Sequence, residues 1–82
     1  MHYDVMSAHH VGGTALHLEF RDGTAGDVDL APALRGPVFQ PLLDPAFFAR
    51  VTVHPTFHTL VWPNGADLAP EYLYDRVRFA AA

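Results

Sequence analysis

The sequence predicts an α+β fold: an antiparallel β-sheet, made of a three-stranded meander plus a second hairpin, with short helical turns covering one face. Three observations carry this expectation. Apolar and polar residues alternate from Tyr3 to Leu30, the period-two signature of strands with one buried face. Prolines at positions 32, 37, 41 and 45 stand too close together for a long helix. From Arg50 to Trp62 the chain is again β-branched and aromatic, as strands are. With 82 residues, half of them hydrophobic, one domain over 1–82 with a single thin core is expected.

The meander is predicted as Tyr3–Val11, Thr14–Phe20 and Thr24–Leu30. A two-residue turn at Gly12-Gly13 sets Val5 opposite Phe20 and Val11 opposite Thr14. A three-residue loop, Arg21-Asp22-Gly23, closes the second hairpin, with Gly23 supplying a positive φ. Leu18 then faces Gly26 and Leu16 faces Val28, so the large apolar side chains share one face and fix the register. The opposite face collects Ala8, His10, Ala15, His17, Glu19, Asp27 and Asp29.

In the middle segment, Asp44-Pro45 is a helix start, a carboxylate cap followed by proline at the first helical position. One turn over Ala46–Ala49 carries Phe47 and Phe48, with Phe39, Leu42 and Leu43 packing beside them. A hairpin of Arg50–Val53 and Thr59–Trp62 follows. The chain reverses at Pro63-Asn64-Gly65 and enters a last helix near Pro70, with Glu71 at its positive end and Leu73 and Val77 facing inward.

Charge and composition narrow the function classes. Five arginines and no lysine are scattered singly against nine carboxylates, for a net charge of -4; nucleic acid binding needs a basic stripe, so no direct nucleic acid contact is expected. An acidic surface suits a basic protein partner. No stretch is long and apolar enough to span a membrane, and the N-terminus lacks the basic-then-apolar order of a signal peptide, which leads to a cytoplasmic expectation. Cysteine is absent, which excludes disulfide staples, thiolate metal sites and a cysteine nucleophile.

Six histidines in so short a chain raise the question of a metal, since imidazole is the commonest transition-metal ligand. His9 and His10 alternate across a strand and point apart. His10 and His17 share the outer face with Asp27, and His54 and His58 flank a short loop. No grouping supplies the three or four ligands of a closed site, so no metal or cofactor is expected, and a histidine-dependent metal-binding or metal-sensing domain stands as the alternative reading. His17 opposite Asp27 mimics an acid–base pair, but neither Ser7 nor Thr14 shares that face or sits on a strained elbow. A cross-strand charge pair explains it without catalysis, and no enzyme activity is expected.

The most distinctive residues are a Phe20-x-Asp22-Gly23 turn, Gly26-x-Val28-Asp29-Leu30, Gly36-Pro37-Val38-Phe39-x-Pro41-Leu42, Asp44-Pro45-x-Phe47-Phe48, and Val61-Trp62-Pro63-Asn64-Gly65-Ala66-Asp67-Leu68-x-Pro70-Glu71-x-Leu73-Tyr74. From about Val5 to Tyr74 this pattern strongly resembles the small bacterial family known as Domain of Unknown Function 2442. The resemblance implies an α+β fold with an antiparallel sheet, and a role as the antitoxin half of a toxin–antitoxin pair beside a small basic neighbour. It also brings a link to molybdopterin guanine dinucleotide synthesis, which needs a phosphate-cradling glycine loop followed by a helix; neither Gly12-Gly13 nor Gly23-x-x-Gly26 supplies one. His58 departs from the family pattern, where glycine or asparagine is common.

The function expected is therefore a non-catalytic protein-binding module, the antitoxin of a small toxin or a related regulatory partner. It would pair with a small basic protein or form a homodimer. Trp62, Asn64, Asp67, Tyr72 and Tyr74 are the candidate partner-binding residues. For the Trp62–Asp67 run two roles compete: a presented loop of aromatic and amide side chains, or a structural turn in which Trp62 closes the core and Asp67 helps start the helix.

Overall fold

A computed structural model describes residues 1–81, with side chains placed through residue 78. Strands β1 (Val5–Gly12), β2 (Ala15–Phe20) and β3 (Ala25–Asp29) form an antiparallel meander in that order. Two 3-10 turns follow, at Ala31–Ala33 and Gln40–Leu43, then the one-turn helix α1 (Pro45–Phe48). A second antiparallel sheet takes β4 (Thr52–Val53), β5 (Leu60–Val61) and β6 (Asp67–Leu68) in chain order, and helix α2 (Pro70–Ala81) follows. This is the α+β class that the alternation and the proline spacing predict.

The β2–β3 register is the predicted one, with Leu16 opposite Val28, His17 opposite Asp27 and Leu18 opposite Gly26. Leu16, Leu18, Phe20 and Val28 are all buried. Gly23 closes the turn at φ 91°, a conformation that strains any residue carrying a Cβ.

The β1–β2 pairing differs from expectation. Val5 does lie opposite Phe20, but the register slips once between Val5 and Ser7 and again between His10 and Gly12. Each slip is a β-bulge that leaves one extra residue on β1. The extra residues are Met6 and Val11, 48% and 52% exposed. The first bulge reverses the parity of the strand, so Ala8 and His10 turn to the inner face opposite Leu18 and Leu16, while His9 joins His17 on the outer face. The turn moves one residue along, to Gly13-Thr14. Contacts of His10 reward the shift: its ring meets Phe48 edge-on at 5.8 Å, and its Nε2–H donates to the Gly13 carbonyl at 2.9 Å.

Asp44 caps α1 as predicted, accepting from the Ala46 N–H at 3.1 Å. Phe48 and Leu42 are fully buried, whereas Leu43, expected beside them, is half exposed at the end of its 3-10 turn. Helix α2 lies across β3, with Leu73 and Val77 buried as predicted. The approach is close: a Cβ on Gly26 would sit 3.1 Å from Val77 Cγ1, so a larger residue there would oblige the Val77 side chain to give by a few tenths of an ångström. The inner faces of both sheets, α1 and α2 contribute to one buried hydrophobic cluster.

Candidate functional site

The Trp62–Asp67 run folds as the turn of a β5–β6 hairpin. The Gly65 N–H reaches the Trp62 carbonyl at 3.0 Å, the Trp62 N–H reaches the Ala66 carbonyl at 2.9 Å, and Gly65 takes φ 89°. Trp62 is only 3% exposed and its indole N–H donates to the Phe48 carbonyl at 2.9 Å. Burial with a satisfied polar end is how a tryptophan closes a core, so the candidate partner residue Trp62 is placed inside. Asn64 is exposed, but both ends of its amide are occupied: Oδ1 accepts from the Ala66 N–H at 3.1 Å and Nδ2 donates to the Val38 carbonyl at 2.8 Å. Asp67 is exposed on β6. It does not start the helix, because β6 pairs with β5 through it and α2 begins only at Pro70.

The two tyrosines separate. Tyr72 is 39% exposed, on the surface of α2, whereas Tyr74 is 8% exposed. The Tyr74 ring packs edge-on against Phe20 at 5.1 Å and its hydroxyl donates to Asp22 Oδ2. That bond, followed by the Thr24 N–H at 2.9 Å on Oδ1, holds the Asp22 carboxyl below the usual aspartate range, because both donors favour the ionised form. Tyr74 is thus the pin between α2 and the β2–β3 turn.

The outer face of the meander carries the remaining polar chemistry. The His17 Nδ1–H donates to Asp27 Oδ1 at 2.7 Å, with Glu19 4.0 Å from the other ring nitrogen and His9 paired across from His17 on β1. Both members of the pair are open to water: His17 is 36% exposed and Asp27 68%. In that setting a cross-strand pair contributes only tenths of a kcal/mol, about 0.2–1. Asp29 Oδ1 accepts from both the Thr14 hydroxyl, at 2.7 Å, and the Ala31 N–H, at 3.0 Å. The Ala31 bond first and the Thr14 bond second lower the Asp29 carboxyl, with Arg76 on α2 adding charge attraction.

In the β4–β5 connection the His54 ring is committed to backbone. His54 Nδ1 accepts from the N–H groups of Thr56 and Phe57, at 3.0 and 3.1 Å. His58 stands at φ 54°, the left-handed conformation in which glycine and asparagine sit with less strain than most residues. Among the described residues, no group of three His, Cys, Asp or Glu side chains converges closely enough to hold a metal ion. Among the same residues no helix is long and apolar enough to cross a membrane.

A small open sheet leaves an edge strand free to pair. The structure places it at β3, whose Ala25, Asp27 and Asp29 are all exposed. The alternation marks these as outer-face positions; which edge stays uncovered depends on where α2 and the second sheet settle, and strand periodicity carries no information about that.

The pattern of a family described as "Protein of unknown function (DUF2442)" matches residues 5–79, nearly the whole chain, and the chain belongs to that family. No curated protein and no solved structure matches it.

Proposed function

We propose that this member of the DUF2442 family is a non-catalytic protein-binding module that works as the acidic half of a hetero-complex with a small basic protein, the antitoxin of a toxin–antitoxin pair. The observation that carries the reading is the pair of exposed carboxylates, Asp27 and Asp29, on a bare strand edge, with further exposed aspartates elsewhere on the chain. Asp22, Asp27, Asp29, Asp44, Asp67 and Asp75 are all exposed, on a chain of net charge -4. Such a field speeds encounter with a basic partner and disfavours acidic ones. The same reading takes the complex to be cytoplasmic, with no direct contact to nucleic acid.

The nearest approach to acid–base machinery, His17 with Asp27, supports a structural role: the two groups lie on an open strand face where water competes for both, without the enclosing cleft in which catalytic groups gain strength.

Sequencing the flanking genes for a small basic reading frame, and co-expression with its product, tests the proposal; the lack of any such neighbour counts against it. A complex stable at low salt and loosened by high salt is expected, together with relief of any growth arrest that the neighbour causes. Separate elution at low salt, with growth arrest persisting, removes the antitoxin reading.

A further inference from the structure

The edges of the two sheets are not equivalent. In the β2–β3 ladder, Phe20 N–H bonds the Thr24 carbonyl at 2.8 Å and Leu30 N–H bonds the Thr14 carbonyl at 3.0 Å. Residues in an antiparallel pair alternate between facing the partner strand and facing away. The even-numbered residues of β3 therefore bond to β2, and Ala25, Asp27 and Asp29 direct their N–H and C=O groups outward, at exposed positions. The far edge of β1 offers no such frame: two bulges break it, and its Val5 N–H is taken by the His58 carbonyl at 3.2 Å. Strands β4 and β6 have two residues each, too short a template for a partner strand. Bulges and short edges are the devices by which proteins discourage strand addition; β3 has neither, and no lysine or proline.

Resting on the protein-binding reading above, we propose that the basic partner docks by adding an extended segment to the outer edge of β3, with arginine or lysine at alternate positions beside Asp27 and Asp29. Those two side chains share the outer face, and residues paired with them from an added strand fall on the same face. The intervening residues turn to the side where α2 covers β3, so the segment alternates basic and apolar. A second copy of this chain fits worse. Pairing β3 with itself gathers Asp27 and Asp29 of both copies onto one face, and like charges on neighbouring strands are destabilising.

The test uses a short synthetic peptide alternating arginine and valine, titrated into the isotopically labelled protein at low salt. Amide resonances of Ala25, Asp27 and Asp29 are expected to shift and to gain protection from exchange, and a peptide with glutamate in place of arginine is expected to do neither. Asp27→Pro removes an outward N–H and no ladder bond, and is expected to weaken binding about tenfold. Asp27→Lys, which leaves the strand backbone intact, is expected to weaken it by a similar factor, and Asp27→Asn by about two- to fivefold. Shifts confined to another surface, binding unchanged in both Asp27→Pro and Asp27→Lys, or a dimer of the protein that protects the same amides would overturn the proposal. Co-elution of the basic neighbour that survives in Asp27→Lys discards the β3 edge alone; failure of the unaltered protein to co-elute discards the hetero-complex.

Discussion

Two turns of this molecule, Phe20–Thr24 and Trp62–Ala66, are built on one plan and tethered in opposite ways. Each begins with a buried aromatic residue whose N–H bonds the carbonyl four positions on, and each ends on a glycine near φ 90° whose N–H returns to the aromatic carbonyl. In each, the side-chain oxygen at the third position accepts from the N–H two residues later. They differ in what the spare atom of that side chain does. Asp22 offers a second oxygen to the Tyr74 hydroxyl on α2; Asn64 offers Nδ2 to the Val38 carbonyl at 2.8 Å. The Val38 carbonyl can only accept and so demands a donor at position 64, whereas the Tyr74 hydroxyl can donate or accept and here donates to a carboxylate that can only accept; the tether restricts the choice of acid or amide, and the turn itself is indifferent to it.

The largest effects should come from the aromatic anchors. Phe20→Ala and Trp62→Ala should each cost about 3–5 kcal/mol by chemical denaturation, with Trp62→Ala the greater because the Phe48 carbonyl also loses its indole donor. A loss under about 1 kcal/mol at Trp62 would break the parallel, since core residues of that size do not come out so cheaply.

Next are the glycines. Nothing lies within 4 Å of a Cβ built on Gly23 or Gly65, so Gly23→Ala and Gly65→Ala should differ from wild type only by backbone strain, about 1–2 kcal/mol each. Unequal losses would show that the two loops are not one design.

The tether exchange is smaller and depends on pH. Asn64→Asp sets a carboxylate against the Val38 carbonyl, which favours its protonated form in the folded state. Its penalty should stand near neutral pH, seen as a Tm lowered by several degrees, fade as the pH falls through the raised folded value, and be gone below the unfolded aspartate value of about 4. Wild-type Asp22 and Asp29 behave with the opposite sign. Both carboxyls are lowered by folding, so the stability they contribute is complete above about pH 4 and is lost as the pH falls through their lowered folded values. Asp22→Asn should flatten that acid limb of the Tm profile; an unchanged limb would remove Asp22 from the account.

The same comparison shows how much the sequence disclosed. The first turn sits between long alternating runs, and parity, turn length and glycine all agreed on one register. The second turn has the same chemistry, but its strands β5 and β6 have two residues each. That is too short for alternation to show, so β6 was hidden and the turn passed for a helix approach. On β1 the failure had another cause. Adjacent Gly12 and Gly13 left the turn degenerate by one residue, and the bulges at Met6 and Val11 inverted the parity on which the reading of Ala8 and His10 rested. Among the site residues, Tyr74 looked like surface until the fold brought Asp22 to it across the chain. The outward-facing β3 edge depends on sheet order and helix placement, both of which are tertiary.

Amide hydrogen exchange along β3, with and without the basic neighbour, tests the central claim most directly. In the free protein Gly26 and Val28 should exchange slowly, since they bond to β2, while Ala25, Asp27 and Asp29 exchange fast; the partner should slow the second set alone. Outward amides already protected in the free protein, or untouched by a partner that binds, would contradict the claim that β3 is the open edge on which this protein receives its partner.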